Sequence, residues 1–137
     1  MKIYLKLIVA LITVLTIISC KKTSDKSSNE SYFGTWILAD YTELYVMLYR
    51  ASEFIDEYGF SIKADGTFIE RKNSGWCATP PIDYEDYLGY WTKINDTVLS
   101  VEVPFWGGTE YFDLEIFSVT EDTLKVIYHY GQPEYFE

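Results

Sequence analysis

The chain has 137 residues, and its 21 acidic side chains outnumber its 11 lysines and arginines, which gives a net charge of −10 at pH 7. A surface this acidic repels phosphate backbones, and no basic stripe compensates for it. Nucleic acid is therefore excluded as a partner, and the acidity itself is explained by solubility.

The N-terminus has the three parts of a signal peptide. Residues 1–6 carry two lysines, residues 7–18 form an uncharged apolar run, and Ser19 precedes Cys20. A retained transmembrane anchor is the alternative, because apolar residues among the lysines lengthen the run toward the ~20 residues that a spanning helix needs. A retained helix gives no reason for a small residue and a cysteine at its end. We therefore interpret residues 1–19 as a signal peptide.

The stretch Leu15-Thr16-Ile17-Ile18-Ser19-Cys20 resembles a bacterial lipobox, in which a small residue precedes an invariant cysteine. The resemblance implies that Cys20 is lipidated, palmitate included, and becomes the mature N-terminus. Stable anchoring needs two hydrophobic signals, and the acyl chains attached in this family exceed that number. The implied partner is the membrane, and the implied location is the bacterial outer membrane, on either its periplasmic or its surface face.

Residues 20–31 consist of Cys20 and the run KKTSDKSSNES, which has no aromatic or aliphatic residue. We therefore expect a flexible tether here. Removal of residues 1–19 takes away two lysines and no acid, so the net charge of −10 becomes −12. The remaining 118 residues are enough for one domain, 32–137, with a real core. Once Cys20 is acylated, Cys77 is the last thiol, so the fold must hold without an intramolecular disulfide.

The domain opens with a predicted strand over Tyr32–Leu38, which contains Gly34-Thr35-Trp36. Residues 42–58 then predict an amphipathic helix, because apolar residues recur there at helical spacing. Thr42 is a suitable residue to cap the start of this helix and Gly59 its end. Aromatic and β-branched residues in the same stretch leave a strand or an irregular lid open as alternatives.

From Phe60 onward the chain predicts hairpins. Asp65-Gly66 is the strongest signal, because its preference for positive φ matches the twist of a two-residue hairpin. A second turn is predicted at Asn95-Asp96, and alternating apolar residues mark the later strands, with a short edge at residues 134–136. Residues 72–86 read as a long connection, of the kind that is often functional. The count is about eight short strands in an antiparallel barrel or sandwich.

The Gly-x-Trp pattern on the opening strand, the Asp-Gly hairpin and the repeated short strands resemble bacterial lipocalin-like lipoproteins. The resemblance covers most of residues 32–136. It implies an all-β fold, a small antiparallel up-and-down β-barrel of about eight strands, to which the spacing of residues 42–58 adds one helix after the first strand. It also implies that Trp36 packs across the closed end of the barrel. Closure would remove exposed strand edges.

A barrel of this kind predicts a binding site for a small apolar or amphipathic molecule among its inward side chains. The candidate lining residues are Trp36, Phe68, Leu99, Val101, Phe112, Leu114, Val126 and Tyr128, which a filled core would use equally. Trp76, Trp91 and Trp106 are candidates for an aromatic platform or rim that contacts a sugar or an apolar ligand. The alternative for Trp76 is a buried anchor of its loop.

The sequence offers no catalytic motif. His129 is the single histidine and lies within a predicted strand, and no serine or cysteine motif supplies a nucleophile for it. Cys77 has no cation beside it in sequence, so a small buried thiol is expected. Residues 83–86 are acidic but lack the regular ligand spacing of a calcium loop. We therefore expect that the protein is not an enzyme and that it binds no metal ion and no cofactor.

Two further hypotheses stay open for the function. One is a protein interaction or inhibitor module with a filled barrel, which contacts an envelope protein through residues 72–86 and 104–108. The other is a sugar-binding accessory lipoprotein. Asp96-Thr97-Val98 and Asp122-Thr123-Leu124 also resemble the Asp-Thr-aliphatic sites that carry O-glycans on exported Bacteroidetes-type proteins, with ordinary turn chemistry as the alternative.

Overall fold

The computed structural model describes residues 32–77 and 79–131. The predicted signal peptide, lipobox and tether, and the predicted edge at residues 134–136, lie outside these residues. The described part contains eight strands, which together form one closed antiparallel barrel. They are β1 (Gly34–Tyr41), β2 (Val46–Ala51), β3 (Gly59–Ile62), β4 (Thr67–Asn73), β5 (Tyr84–Lys93), β6 (Val98–Phe105), β7 (Gly108–Val119) and β8 (Thr123–Tyr130). The predicted all-β barrel of about eight strands is confirmed.

The order of strands around the barrel is β1-β2-β8-β7-β6-β5-β4-β3, with β3 closing onto β1. Strands β3 to β8 form a continuous meander, but β1 lies between β2 and β3, and β8 pairs with β2 rather than with β1. The prediction of a simple up-and-down order is therefore wrong at this point. Because β2 and β3 both run antiparallel to β1, the connection over residues 52–58 must return past β1.

The helix predicted over residues 42–58 is also wrong, because β2 occupies the centre of this stretch. Its backbone pairs with β1 on one side, with Leu48 opposite Leu38, and with β8 on the other, with Val46 opposite Val126. Thr42 caps a turn instead of a helix, since its Oγ1 accepts hydrogen bonds from the amides of Leu44 and Tyr45. The described residues include no helix long and apolar enough to cross a membrane.

The predicted hairpin turns are confirmed. Gly66 has a φ of +88°, and Asp65 Oδ1 accepts the amide hydrogen of Thr67 at 3.0 Å. In the next hairpin, Asn95 Oδ1 accepts from the amide of Thr97 at 2.9 Å and of Val98 at 3.0 Å. The long connection is shorter than predicted, because β4 continues to Asn73 and β5 begins at Tyr84. Lys72 therefore belongs to a strand.

Alternate residues of each strand point into the barrel and fill it with apolar side chains. The phenyl rings of Phe60 and Phe68 stack at 5.3 Å, and Phe112 meets Phe68 edge-on at 6.2 Å between ring centroids. The aliphatic residues of this core are largely solvent-excluded: Leu48, Ile62, Leu99, Val101, Val103, Leu114, Ile116, Leu124 and Val126. Ile37 is also buried, but it alternates with the inward Trp36 and lies outside this cluster.

Trp36 closes the end of the barrel at which β1 begins, which we call the closed end. Its side chain is fully buried, and its indole N–H donates to the carbonyl of Tyr32 at 2.7 Å. The guanidinium of Arg50 lies 4.1 Å from the centroid of the Trp36 ring and donates to the carbonyls of Phe33 and Glu121. The turns at residues 63–66, 94–97 and 120–122 lie at the same end. The opposite end, with residues 42–45, 74–77, 79–83 and 106–107, is the open end.

Candidate functional site

A cavity of about 430 Å³ lies at the open end of the barrel. Its wall combines the β1–β2 turn with residues of β1, β2, β4, β7 and β8 and with Tyr58, which precedes β3. The lining residues are Tyr41, Thr42, Glu43, Leu44, Tyr45, Val46, Tyr58, Glu70, Lys72, Glu110, Val126, Ile127, Tyr128 and Tyr130. The cavity therefore mixes aromatic faces with a few charged groups.

Because side chains alternate along a strand, Glu70, Lys72 and Glu110 point into the barrel. On β4 the inward face begins with the core residue Phe68, and a period of two places Glu70 and Lys72 above it. On β7 the same rule places Glu110 two residues before the core residue Phe112. The inner surface thus changes from apolar to charged toward the open end.

Lys72 joins two carboxylates across the barrel. Its Nζ donates to Glu70 Oε2 at 2.6 Å and to Glu110 Oε2 at 3.0 Å. The second oxygen of Glu70, Oε1, accepts from the hydroxyl of Tyr58 at 2.8 Å, and that hydroxyl lies 2.9 Å from the hydroxyl of Tyr128. Since Tyr58 has one hydroxyl proton and gives it to Glu70, Tyr128 is the donor to Tyr58. The result is one hydrogen-bonded network from β8 to β7.

Both tyrosine hydroxyls of this network stay protonated. Burial raises the pKa of Tyr58 well above its ordinary value, and the neighbouring Tyr128 and Glu70 raise the pKa further. Burial likewise raises the pKa of Tyr128 well above its ordinary value, with the charge of Glu70 as the next cause. The two side chains therefore act as fixed neutral donors in the base of the cavity.

Tyrosine rings make the upper part of the cavity. The rings of Tyr128 and Tyr130 stack at 5.8 Å with an interplanar angle of 8°. Tyr41 and Tyr130 are exposed, whereas Tyr45 is covered from outside by Phe117, stacked at 5.5 Å, and by Lys125, whose Nζ lies 4.5 Å from its ring centroid. Tyr41 and Tyr130 are therefore the exposed aromatic rings of the wall, although Tyr130 also contacts Tyr128 and Phe112.

Of the predicted lining residues, the cavity includes Tyr128 and Val126. Trp36, Phe68, Leu99, Val101, Phe112 and Leu114 are buried in the packed core below it and do not reach the cavity. The reason is that these large side chains meet across the narrow barrel and fill it. The lower barrel is therefore a filled core, and the space for a ligand is at the open end.

The three tryptophans proposed as a platform do not form one. Trp91 lies at the closed end, where its indole N–H donates to the carbonyl of Lys63 at 2.8 Å and its ring packs against Tyr32 and Phe33. Trp106 is exposed in the β6–β7 turn at the open end. Trp76 is exposed in the β4–β5 connection, so the alternative of a buried anchor is wrong.

Glu70, Lys72 and Glu110 are the functional candidates that the sequence interpretation missed. The signal was present in β4, because the alternation that turns Phe68 inward also turns Glu70 inward, and it extends to Lys72. Assigning Lys72 to a loop removed it from that pattern. For Glu110 the same reasoning from Phe112 along β7 applies.

The other polar candidates lie outside the cavity. His129 Nε2 is 2.7 Å from Glu115 Oε2 on the outer surface. Cys77 is exposed, which corrects the expectation of a buried thiol, and hydrogen bonding from Thr79 lowers the pKa of its thiol. Among the described residues, no group of three or more His, Cys, Asp and Glu side chains is arranged to hold a metal ion.

The two Asp-Thr-aliphatic sites are both near turns at the closed end. Thr97 is exposed, and its hydroxyl is 3.2 Å from Asn95 Oδ1. Thr123 is half-buried at the start of β8, and its carbonyl accepts from the amide of Thr120 at 2.8 Å. Of the two residues, Thr97 is the more exposed.

No family model matches the chain, and neither a curated protein nor a solved structure matches it.

Proposed function

We propose that this chain is a cell-envelope lipoprotein whose lipocalin-like barrel binds a small amphipathic molecule in the open-end cavity, without catalysis. The observation that carries the proposal is the cavity itself, which at about 430 Å³ lies in the range of small-molecule sites. Its wall has the composition typical of such sites, in which apolar surface surrounds a few polar groups that fix orientation.

The two parts of the cavity suit the two parts of an amphipathic ligand. The tyrosine rings and Val46, Val126 and Ile127 offer contacts for an apolar body. The Lys72 network offers polar partners that are already oriented by one another, so binding does not have to order them. The filled core beneath limits the ligand to the open end and to a modest size.

Native mass spectrometry of the chain, recovered from its own host's envelope and compared with its denatured mass, tests this function. We expect a reproducible extra mass that denaturation removes. Val46→Trp, which fills the cavity from β2, should abolish the extra mass, whereas Val98→Trp, at the closed end of β6, should retain it. A co-purifying protein and no extra mass would instead favour the interaction module, with the exposed Trp76 and Trp106 as its contacts.

The lipoprotein part of the proposal rests on the lipobox resemblance at Cys20, and it places the barrel at the outer membrane. Labelling with palmitate in cells tests it. We expect label in the wild type and in Cys77→Ala, which removes the other cysteine, and no label in Cys20→Ala. Equal labelling of all three would show that the anchor is not on Cys20.

A further inference from the structure

We propose, resting on the proposed function, that the ligand of the open-end cavity is an organic cation, with an ammonium group on an apolar body. Three features of the cavity carry this inference: the sign of its charge, the accessibility of its carboxylates, and the exposed tyrosine rings.

The lining is anionic. Glu43, Glu70 and Glu110 bring three carboxylates, while Lys72 brings one ammonium. That ammonium already binds both Glu70 and Glu110. A ligand cation would therefore find uncompensated negative charge, whereas a ligand anion would meet like charge on entering.

The greater exposure of Glu110 than of Lys72 also favours a cationic ligand. The side chain of Lys72 is 15% exposed and that of Glu110 is 36% exposed, so the carboxylate is the more open of the two charged groups. Lys72 Nζ also lies over the rings of Tyr87 and Phe105, 5.6 and 5.7 Å from their centroids. Glu110 uses Oε2 for Lys72, and a carboxylate has further lone pairs with which to accept from a ligand N–H.

The tyrosine rings of the cavity wall also favour a cationic ligand. A cation gains energy over the face of a tyrosine ring, and the exposed rings of Tyr41 and Tyr130 line the same cavity as Glu110. The protein already makes this contact at the cavity's outer side, where the ammonium of Lys125 lies over Tyr45. A ligand ammonium between Glu110 and a tyrosine face would satisfy both partners at once.

Isothermal titration calorimetry with three matched probes tests the proposal: 2-phenylethylamine, 2-phenylethanol and 3-phenylpropanoate. The full chain is held in nanodiscs of zwitterionic lipid, and heats from empty nanodiscs are subtracted. We expect the amine to bind at least tenfold more tightly than the alcohol, and the carboxylate to bind more weakly than the alcohol. Glu110→Gln should reduce amine affinity at least fivefold, while Glu121→Gln, at the closed end, should leave it unchanged.

The outcomes separate this proposal from the proposed function. If the alcohol or the carboxylate binds as tightly as the amine, the cavity is a binding site but the ligand is not a cation. If the amine binds and Glu110→Gln has no effect, the assigned carboxylate is wrong and the proposal fails. If none of the three probes binds, both the cation and the small-molecule function are overturned.

Discussion

At the scale of single residues, Lys72 is the centre of the site. It is a strand residue whose side chain is held between two carboxylates inside the barrel, where the low dielectric makes each unpaired charge costly. The pairing does not make the network a large source of stability, because desolvation offsets most of the attraction. Its effect is that removing one member leaves the others uncompensated.

Replacing Lys72 by methionine should therefore destabilise the barrel by about 3 kcal/mol, because Glu70 and Glu110 then face each other without a cation. Urea unfolding at neutral pH measures the change. Lys93→Met is the matched control, because the Lys93–Asp96 pair is exposed on a hairpin, where solvent screens it, so its loss should change stability far less than the loss of Lys72. Equal effects of the two substitutions would contradict the buried network.

The tyrosine hydroxyls make a second prediction at this scale. Since the pKa of Tyr58 and of Tyr128 is raised in the folded state, their contribution to stability is complete below pH 10 and is lost as the pH rises above it. Tyr128→Phe should cost about 1 kcal/mol at pH 7, because one hydrogen bond is lost. Above pH 10 the variant's stability should fall less steeply than that of the wild type.

Urea unfolding across this pH range, with tyrosinate absorbance in the near ultraviolet, is the measurement. Tyr90→Phe, which changes an exposed tyrosine on β5, is the control and should keep the wild-type slope. Parallel curves for Tyr128→Phe and the wild type would show that this hydroxyl does not titrate with unfolding.

At the scale of elements, residues 46–51 form the strand β2 although their stretch has helical spacing. Leu44, Leu48, Ala51 and Ile55 have helical spacing, yet Leu44 and Ile55 are exposed, and Leu48 alone of the four is fully buried. The stretch forms a strand because β1 and β8 each have a free edge that β2 fills, and closing the barrel satisfies both edges. Local periodicity does not contain that requirement, so tertiary pairing overrode it.

At this scale, the close approach of β6 to Gly89 on β5 leads to a prediction about stability. A Cβ atom added to Gly89 would lie 2.8 Å from Val103 Cα and closer still to the carbonyl oxygen of Glu102, so the two strands would have to separate. We expect Gly89→Ala to destabilise the protein by about 2 kcal/mol or more. In Gly75→Ala the new Cβ has no neighbour within 4 Å, so the change should stay within about 0.5 kcal/mol. Urea unfolding of both variants makes the comparison.

At the scale of the whole molecule, the two ends of the barrel differ in structure. The closed end is sealed by Trp36 and Arg50, which tie the start of β1 to β2 and to the β7–β8 turn. The open end holds the cavity and the charged network. Between them the aromatic and aliphatic core separates the two ends, so we expect changes at one end to leave the other intact.

Arg50→Lys tests this division. Lysine cannot reproduce the planar guanidinium that stacks on Trp36 while donating to two carbonyl groups, so stability should fall by about 2 kcal/mol. The affinity for 2-phenylethylamine should nevertheless match that of the wild type. Calorimetry together with urea unfolding gives both values, and a loss of affinity comparable to that of Glu110→Gln would show that the ends are coupled.

The sequence by itself determined the all-β class, the approximate number of strands, the Asp65-Gly66 and Asn95-Asp96 turns and about half of the core, including Trp36. These follow from local rules, since alternation and turn chemistry act over a few residues. It did not determine that β1 lies between β2 and β3, that residues 46–51 form a strand, or that the core residues fill the lower barrel. Only the tertiary structure decided those points, and with them the site, because Glu70, Lys72 and Glu110 meet through the pairing of strands far apart in the chain.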